Sequence, residues 1–446
     1  MEKKLGNGKS PIDSEPSIDV PLFRTLSLTQ TTFIGIGTAV GGVMFAIMGR
    51  AIAAAGPSIV VTFIIGAFFA LLIGLCYAEL GASVPGSAGG AIAFVRRAYG
   101  EGIVTFVAGW FDWIGSITDA SIGSLVFALS VQYLLKWIEP YTLAIITILA
   151  ITFINFQGAK TMGFAQFILT TILIFSVSLY MAGSSFSFNT IRFRPFFPYG
   201  ALPMFYMISF IFPTYAGYEA ITQLSEEVKT AGKTIPRALL LTLVAITFLF
   251  TGAALTTIGG APLEVYINSD TPMQNAATYF MGPIGGIIVS IGSIVAVLTT
   301  INGSIAGGTR IAYALSRSQL LPSVFNRVHP KYRSPYTALA LTMLLAIAFV
   351  LTRSIELIVY AITTGYSVTA IMVCIALIKL RRIEPQLYRP FKVPFYPFTP
   401  IAAIIALVFM IATMSMDSLI LGVAVGVVGL VLFISTKWMN GAAASS

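Results

Sequence analysis

The sequence predicts an all-α integral membrane protein with twelve transmembrane helices. It is arranged as an inverted five-plus-five helix repeat with discontinuous helices 1 and 6, followed by two peripheral helices. Three observations lead there. The 446 residues are 57% hydrophobic and only 10% charged, with mean hydropathy +0.90, which leaves too little polar surface for a water-soluble globule. Apolar runs near the bilayer-spanning length of about 20 residues recur along the whole chain. Two of those runs, five spans apart, are interrupted near their middles.

The runs fall at roughly 28–55, 58–80, 103–135, 141–157, 163–183, 200–225, 237–260, 283–315, 337–352, 354–378, 398–414 and 419–437. Residues 1–27 precede them as a tail bearing Lys3, Lys4, Lys9, Asp13, Glu15, Asp19 and Arg24. With no apolar core followed by a cleavage site, this segment reads as a cytoplasmic tail and not a signal peptide. The division that follows is a first five-helix repeat at 28–183, a second, inverted repeat at 199–378, helices 11 and 12 at 398–437, and a C-terminal tail at 438–446.

The net charge of +9 invites a nucleic-acid reading, but its placement is topological. With the N-terminus in the cytoplasm, only Arg50, Lys136, Arg192, Arg194 and Arg353 of the 26 Lys and Arg residues fall on the outer side. Such a bias is the positive-inside signature of a multi-pass protein of the cell (cytoplasmic) membrane with both termini inside. No nucleic-acid partner is implied. Cys76 and Cys374 lie within spans and read as small core residues, without a disulfide or metal site.

Span 1 carries Gly35, Gly37, Gly41 and Gly42 within eight residues, a costly composition for a helix. Span 6 carries Phe212-Pro213-Thr214-Tyr215-Ala216-Gly217-Tyr218-Glu219, in which the missing proline donor and Gly217 should unwind the helix. Free backbone groups at membrane depth persist only where they face protein or a water-filled cavity. Five spans is an odd number, so the second copy is upside down. Paired discontinuous helices in inverted halves point to a secondary transporter with its site at the midplane.

The amides of Gly41, Gly42 and Val43 would open the outer half of span 1, where a helix N-terminus favours a carboxylate. Carbonyls near Ala39, Val40 and Phe212 to Ala216 would face an ammonium. A zwitterion such as an α-amino acid fits both ends.

Four motifs then give the chain a family likeness. Residues 35–45 (Gly-Ile-Gly-Thr-Ala-Val-Gly-Gly-Val-Met-Phe) form a glycine-rich first helix. Pro85, Gly89, Gly90, Arg96, Arg97 and Gly100 mark a first cytoplasmic loop. Gly217-Tyr218-Glu219-Ala220, Ser225-Glu226-Glu227-Val228-Lys229 and Ile235-Pro236-Arg237-Ala238 follow span 6. Arg310, Tyr313-Ala314-Leu315, Leu321-Pro322 and Val328-His329-Pro330 follow span 8. In this order they resemble the amino acid, polyamine and organocation (APC) superfamily, from span 1 to span 10.

The resemblance implies an amino acid permease working by alternating access. Substrate would be held by Ala39, Gly41, Gly42, Val43, Phe212, Tyr215, Ala216 and Tyr218. Val43 stands where many members have glycine, and Pro213 where several carry a gating aromatic, so Phe212 or Tyr215 would serve instead.

Members couple to sodium, to protons or to a counter-substrate. The lysine that some proton-coupled relatives carry in span 5 is missing from Thr170-Thr171-Ile172-Leu173-Ile174-Phe175. Thr299 and Thr300 stand near the hydroxyl pair of sodium-coupled relatives, and with the carbonyls of Gly37 and Val40 would offer hard oxygen ligands. Bonding of both threonines to their own helix is the competing reading. Asp112 and Asp119, seven apart, share a face of span 3 and are candidates for coupling or for selecting a basic side chain. Glu219 is expected to fix the unwound segment.

Ion- or proton-coupled symport is favoured, with an amino acid/polyamine exchanger or an inorganic-ion carrier as alternatives. A sensor or non-transporting subunit ranks below these. His329 has no partner set for a metal, and neither Gly285-Gly286 nor Gly307-Gly308 has the lysine and hydroxyl context of a nucleotide loop. No cofactor is expected. An enzyme ranks lowest, because no nucleophile and base pair occurs.

Overall fold

A computed structural model describes residues 26–84, 90–157, 163–225, 227–332 and 334–444. The predicted tail before Leu26, Pro85 and Gly89 of the first loop motif, and Glu226 lie outside the described residues.

Fifteen α-helices follow one another: α1 Leu28–Ala39, α2 Val43–Ala55, α3 Ile59–Ser83, α4 Gly90–Tyr99, α5 Ile103–Leu134, α6 Pro140–Phe156, α7 Gly163–Gly183, α8 Leu202–Ile211, α9 Ala231–Gly260, α10 Pro272–Met281, α11 Pro283–Arg317, α12 Tyr336–Leu351, α13 Ile355–Ile383, α14 Phe398–Ala412 and α15 Met416–Ala444. Extended pairing among the described residues is limited to one isolated parallel bridge, Leu26 with Val228. Among the described residues seven stretches are long and apolar enough to cross a bilayer, and three shorter apolar helices, α6, α12 and α14, accompany them.

The burial pattern is that of a protein dissolved in lipid. Phe175, Val244, Phe248, Ile405 and Val423 are exposed, while Ser121, Ser124, Ser293, Thr242 and Thr363 are buried. In water this would be an inverted surface; in hydrocarbon the outward apolar side chains cost nothing and the inward hydroxyls find carbonyls. Ser121 and Thr363 show how: they donate to the carbonyls of Ala346 at 3.0 Å and Ser209 at 2.8 Å, each on a neighbouring helix.

The long helices α5 and α11 pack along each other, and α13 lies on the other side of α5. Small residues bring α5 and α13 together: a Cβ on Gly365 would sit 2.7 Å from the carbonyl oxygen of Phe111 and 2.9 Å from the amide nitrogen of Gly115. α3 packs on α9 and α8, and α1 on α9 and α7.

The span between residues 237 and 260 starts earlier than its apolar run, at Ala231. Its first turn is the polar stretch Ala231 to Thr234, and Pro236 lies inside the helix, where its missing N–H removes the bond to the Gly232 carbonyl. Two short helices lie outside the predicted spans, α4 and α10, the latter opened by Pro272.

Candidate functional site

The first interruption is short. α1 ends at Ala39, and Val40 adopts φ −78°, ψ 62°. Its N–H donates to Ile36 O, while the N–H of Gly41 turns back onto Ala39 O, both at 2.8 Å. α2 restarts at Val43 with Gly42 as its cap. Amides of the first turn of a helix have no carbonyl four residues behind them, so those of Gly42, Val43 and Met44 lack an intrahelical acceptor.

The second interruption is longer. α8 ends at Ile211, and Pro213 enters a 3₁₀ turn, Phe212–Tyr215, rather than breaking the chain there. The break comes three residues later. Ala216 is extended, and Gly217, at φ 104°, turns the chain into a second 3₁₀ segment, Tyr218–Leu224. That φ favours glycine. The carboxylate of Glu219 accepts from the Gly217 N–H, at 2.9 and 3.1 Å from its two oxygens, which holds the turn.

The two interruptions meet. A Cβ on Gly217 would lie 2.7 Å from the carbonyl oxygen of Thr38 and 3.2 Å from Cα of Ala39. The Thr38 hydroxyl lies 3.0 Å from the carbonyl oxygen of Gly217 and can donate to it. Backbone therefore touches backbone, with no side chain between.

Around this contact the predicted residues divide. Gly41 faces Thr300 of α11: a Cβ there would be 3.3 Å from Oγ1. Thr300 shares a face of α11 with Gly303 and Gly307, and a Cβ on either of those two would meet nothing within 4 Å. Open space thus borders α11 beside the break in α1. Thr38, Ala216, Gly217, Glu219, Asp112, Asp119 and Ser304 are all partly exposed although they lie on elements of the bundle interior. Gly42, by contrast, is packed: its Cβ would come 2.6 Å from Val297 and 3.1 Å from Val126. Val43 is buried beside it.

The aromatic residues of span 6 point elsewhere. Tyr215 donates to Phe63 O at 2.7 Å and Tyr218 to Ala70 O at 2.9 Å, both on α3. Tyr366 of α13 donates to the Tyr218 hydroxyl at 3.2 Å, and its ring lies 5.6 Å from that of Phe212. These buried rings anchor the unwound segment to its neighbours. Thr299 and Thr300 both donate to Ala296 O, at 2.9 and 3.2 Å, within their own helix. Gly37 and Val40 are buried in the same region of span 1. Asp119 accepts from the Ser304 hydroxyl across the α5–α11 interface.

A groove of about 610 Å³ lies between α3 and α9 and is walled by residues such as Phe68, Val244 and Phe248. It is on a different face of α3 from the one that receives Tyr215 and Tyr218, and its apolar walls suit lipid rather than a zwitterion.

The two ends of the bundle differ. On the face opposite the Leu26 segment, Arg50 of α2 reaches Asp270 at 2.9 Å and Glu356 of α13 at 2.7 Å. On the same helix Met44, Phe45, Ile47 and Met48 are all buried. On the Leu26 face, Glu79 of α3 is fully buried and holds Arg381 through two contacts, Arg389 at 3.2 Å and the N–H of Val393 at 2.6 Å. Arg97 of α4 grips Glu384, whose carboxyl it keeps below the usual carboxylate range.

Sequence reasoning missed Thr38, Ser304, Tyr366, the Arg50 cluster and the Glu79 cluster. Glu79 had a signal: it is the one charge in the apolar run of α3, and a lone charge at such a position implies a partner.

The family described as "Amino acid permease" matches residues 30–441. The branched-chain amino acid permease BcaP of Bacillus subtilis (strain 168) is 26% identical over 440 residues, covering 92% of each chain. Two more proteins of that organism are each 27% identical over 442 residues and 94% of this chain. They are a methylthioribose transporter, covered to 95%, and the serine/threonine exchanger SteT, covered to 98%.

Proposed function

Because this chain belongs to the amino acid permease family, a family of membrane transporters and not enzymes, we propose that it carries an amino acid across the cell membrane by alternating access. The substrate would sit where the two broken helices meet. The observation that carries this reading is the backbone contact of Gly217 with Thr38 and Ala39, next to the open face of Thr300, Gly303 and Gly307. Carbonyls at Ala39 and Ala216 then converge on an ammonium, and the amides of Gly42 and Val43 on a carboxylate. A carboxylate arriving at Gly41 would replace its present bond to Ala39 O.

In this reading the helices form twelve crossings. Residues 28–183 and 199–378 are the inverted halves, 398–437 is peripheral, and both termini are cytoplasmic, consistent with the placement of lysine and arginine. The cluster at Arg50 is then the closed outer gate, and access is from the cytoplasm. Phe212, Tyr215 and Tyr218 support the site by holding span 6 against α3 and α13.

Asp112 and Asp119 place carboxyl groups on the wall of α5 near the opening, where a proton or a substrate ammonium can be held. Thr299 and Thr300, with Gly37 and Val40, are the place for a sodium ion. Symport with one of these ions is the reading we favour. Exchange of one amino acid for another has support in the serine/threonine exchanger among the similar proteins.

Counterflow of radiolabelled amino acids in proteoliposomes tests the proposal. Saturable uptake that requires internal amino acid or an ion gradient is expected, and its absence across a full amino acid panel overturns it. Uptake independent of sodium and unchanged by Thr300→Val removes the sodium reading, and an unchanged pH profile in Asp112→Asn makes that residue structural.

A further inference from the structure

The connection between α7 and α8, residues 184–201, is poor in acids and rich in aromatic and basic residues: Ile191-Arg192-Phe193-Arg194-Pro195-Phe196-Phe197-Pro198-Tyr199. Arg192 and Arg194 are two of only five basic residues on the outer side of the topology given above. Arginine is depleted from such loops, so a pair there needs its own reason.

The pair borders a cavity of about 180 Å³ between this connection, the end of α2 and the end of α9, with Pro57, Tyr199, Ile258 and Tyr266 among its other walls. Among the described residues no acidic side chain lines it. Arg192 is positioned by its own bonds: Nη1 donates to the carbonyls of Ser187 and Gly259. Among the described residues Arg194 has no ion-pair partner and no side-chain hydrogen bond. Two guanidinium groups therefore border one hollow that holds no countercharge.

The surroundings say what kind of anion belongs there. Phe186 is 93% exposed and Ile191 72%, and Phe197, Tyr199 and Leu202 are exposed with them. Such residues in an aqueous loop would be a liability; at the edge of a bilayer they lie among acyl chains and headgroups. A guanidinium pair at the polar edge of an apolar, aromatic surface matches a phosphodiester that carries acyl chains.

We propose that the cavity walled by Arg192 and Arg194 is a phospholipid site, which takes the headgroup phosphate between the two guanidinium groups while the acyl chains lie over the exposed Phe186, Ile191 and Leu202. Its lipid would bridge the end of α2, which carries Arg50, to the connection before α8.

The test is native mass spectrometry of the full chain in detergent, titrated with dioleoyl phosphatidylglycerol. Arg194→Gln, at an exposed side chain, should retain the fold and bind about tenfold more weakly, the loss of one charge-assisted contact. Arg194→Lys should recover part of the affinity. Arg353→Gln, a basic residue of the same face that stacks on Tyr141, should leave lipid retention unchanged. Millimolar inorganic phosphate should fail to displace the lipid. Equal affinity of wild type and Arg194→Gln overturns the proposal. Full displacement by inorganic phosphate also overturns it, by making this a site for a soluble anion.

Discussion

The Thr38 hydroxyl lies 3.0 Å from the carbonyl oxygen of Gly217, and the two residues, 179 apart in sequence, make the junction at which both broken helices rest on each other. Each side of the junction leaves little room. Gly217 needs its left-handed φ and has Thr38 O where a Cβ would go. Gly217→Ala should therefore lose about 1–3 kcal/mol from strain alone and cut transport more than tenfold, to be measured by thermal melting and counterflow. Thr38→Val, which keeps the shape and removes the donor, should give a smaller loss of stability.

Gly41 and Gly42 should separate cleanly. Gly42→Ala pushes into Val297 and Val126, an overpacking that costs about 1–3 kcal/mol, and shortening Val297 to Ala in the same chain should restore much of it. Gly41→Ala meets only the Thr300 side chain at 3.3 Å and borders the open space. Its melting temperature should stay near wild type while KM rises. The opposite pattern, a stable Gly42→Ala and a collapsed Gly41→Ala, would move the site.

Arg50 makes two ion pairs, both partly exposed, so each is worth about 0–1 kcal/mol and weakens with salt. Glue of that strength can hold a gate shut and still release it. Asp270→Asn with Glu356→Gln should raise, severalfold, the rate at which a Val43→Cys thiol reacts with a membrane-impermeant reagent added outside, in a chain also carrying Cys76→Ala and Cys374→Ala. An unchanged rate would show that the seal is made by the apolar residues Phe45 to Met48 alone.

Glu79 is a different kind of contact. Its carboxylate is fully buried against Arg381, Arg389 and the Val393 N–H, so neutralising it strands buried cationic charge at a cost of about 3–5 kcal/mol. Glu79→Gln should yield poorly folded protein in a thermal-stability assay, and Glu79→Asp an intermediate.

Arg97 keeps the carboxyl of Glu384 below its ordinary value chiefly through hydrogen bonding. A depressed carboxyl lends stability above its unfolded value and loses it as pH falls through the folded one. Glu384→Gln should therefore melt slightly lower than wild type at neutral pH, and the difference should vanish as pH falls through the lowered folded value of Glu384.

Much of this architecture could be read in one dimension because bilayer thickness sets the length of an apolar run. The expected span 163–183 coincides with α7, 103–135 differs from α5 by one residue at its end, and 141–157 from α6 by one residue at each end. Gly217 marks its break because its left-handed φ needs glycine, whereas the glycines of span 1 only flank a break made at Val40. The short helices α4 and α10 were not legible, being brief and only partly apolar. Directions were not legible either. Whether Tyr215 and Tyr218 face a pocket or α3 depends on how α3 is rotated against span 6, and their acceptors lie 152 and 148 residues away. Glu79 finds Arg381 across 302 residues, a pairing no local pattern encodes.

The segment Tyr218–Leu224 also sets a distance. In 3₁₀ geometry its seven residues extend about 14 Å, and in α geometry they would extend about 10.5 Å. The difference, about 3.5 Å, is the change in length that rewinding this one segment would bring. Rewinding it would draw Val228, and Leu26 bridged to it, toward the membrane centre while Gly217 stayed fixed on Thr38.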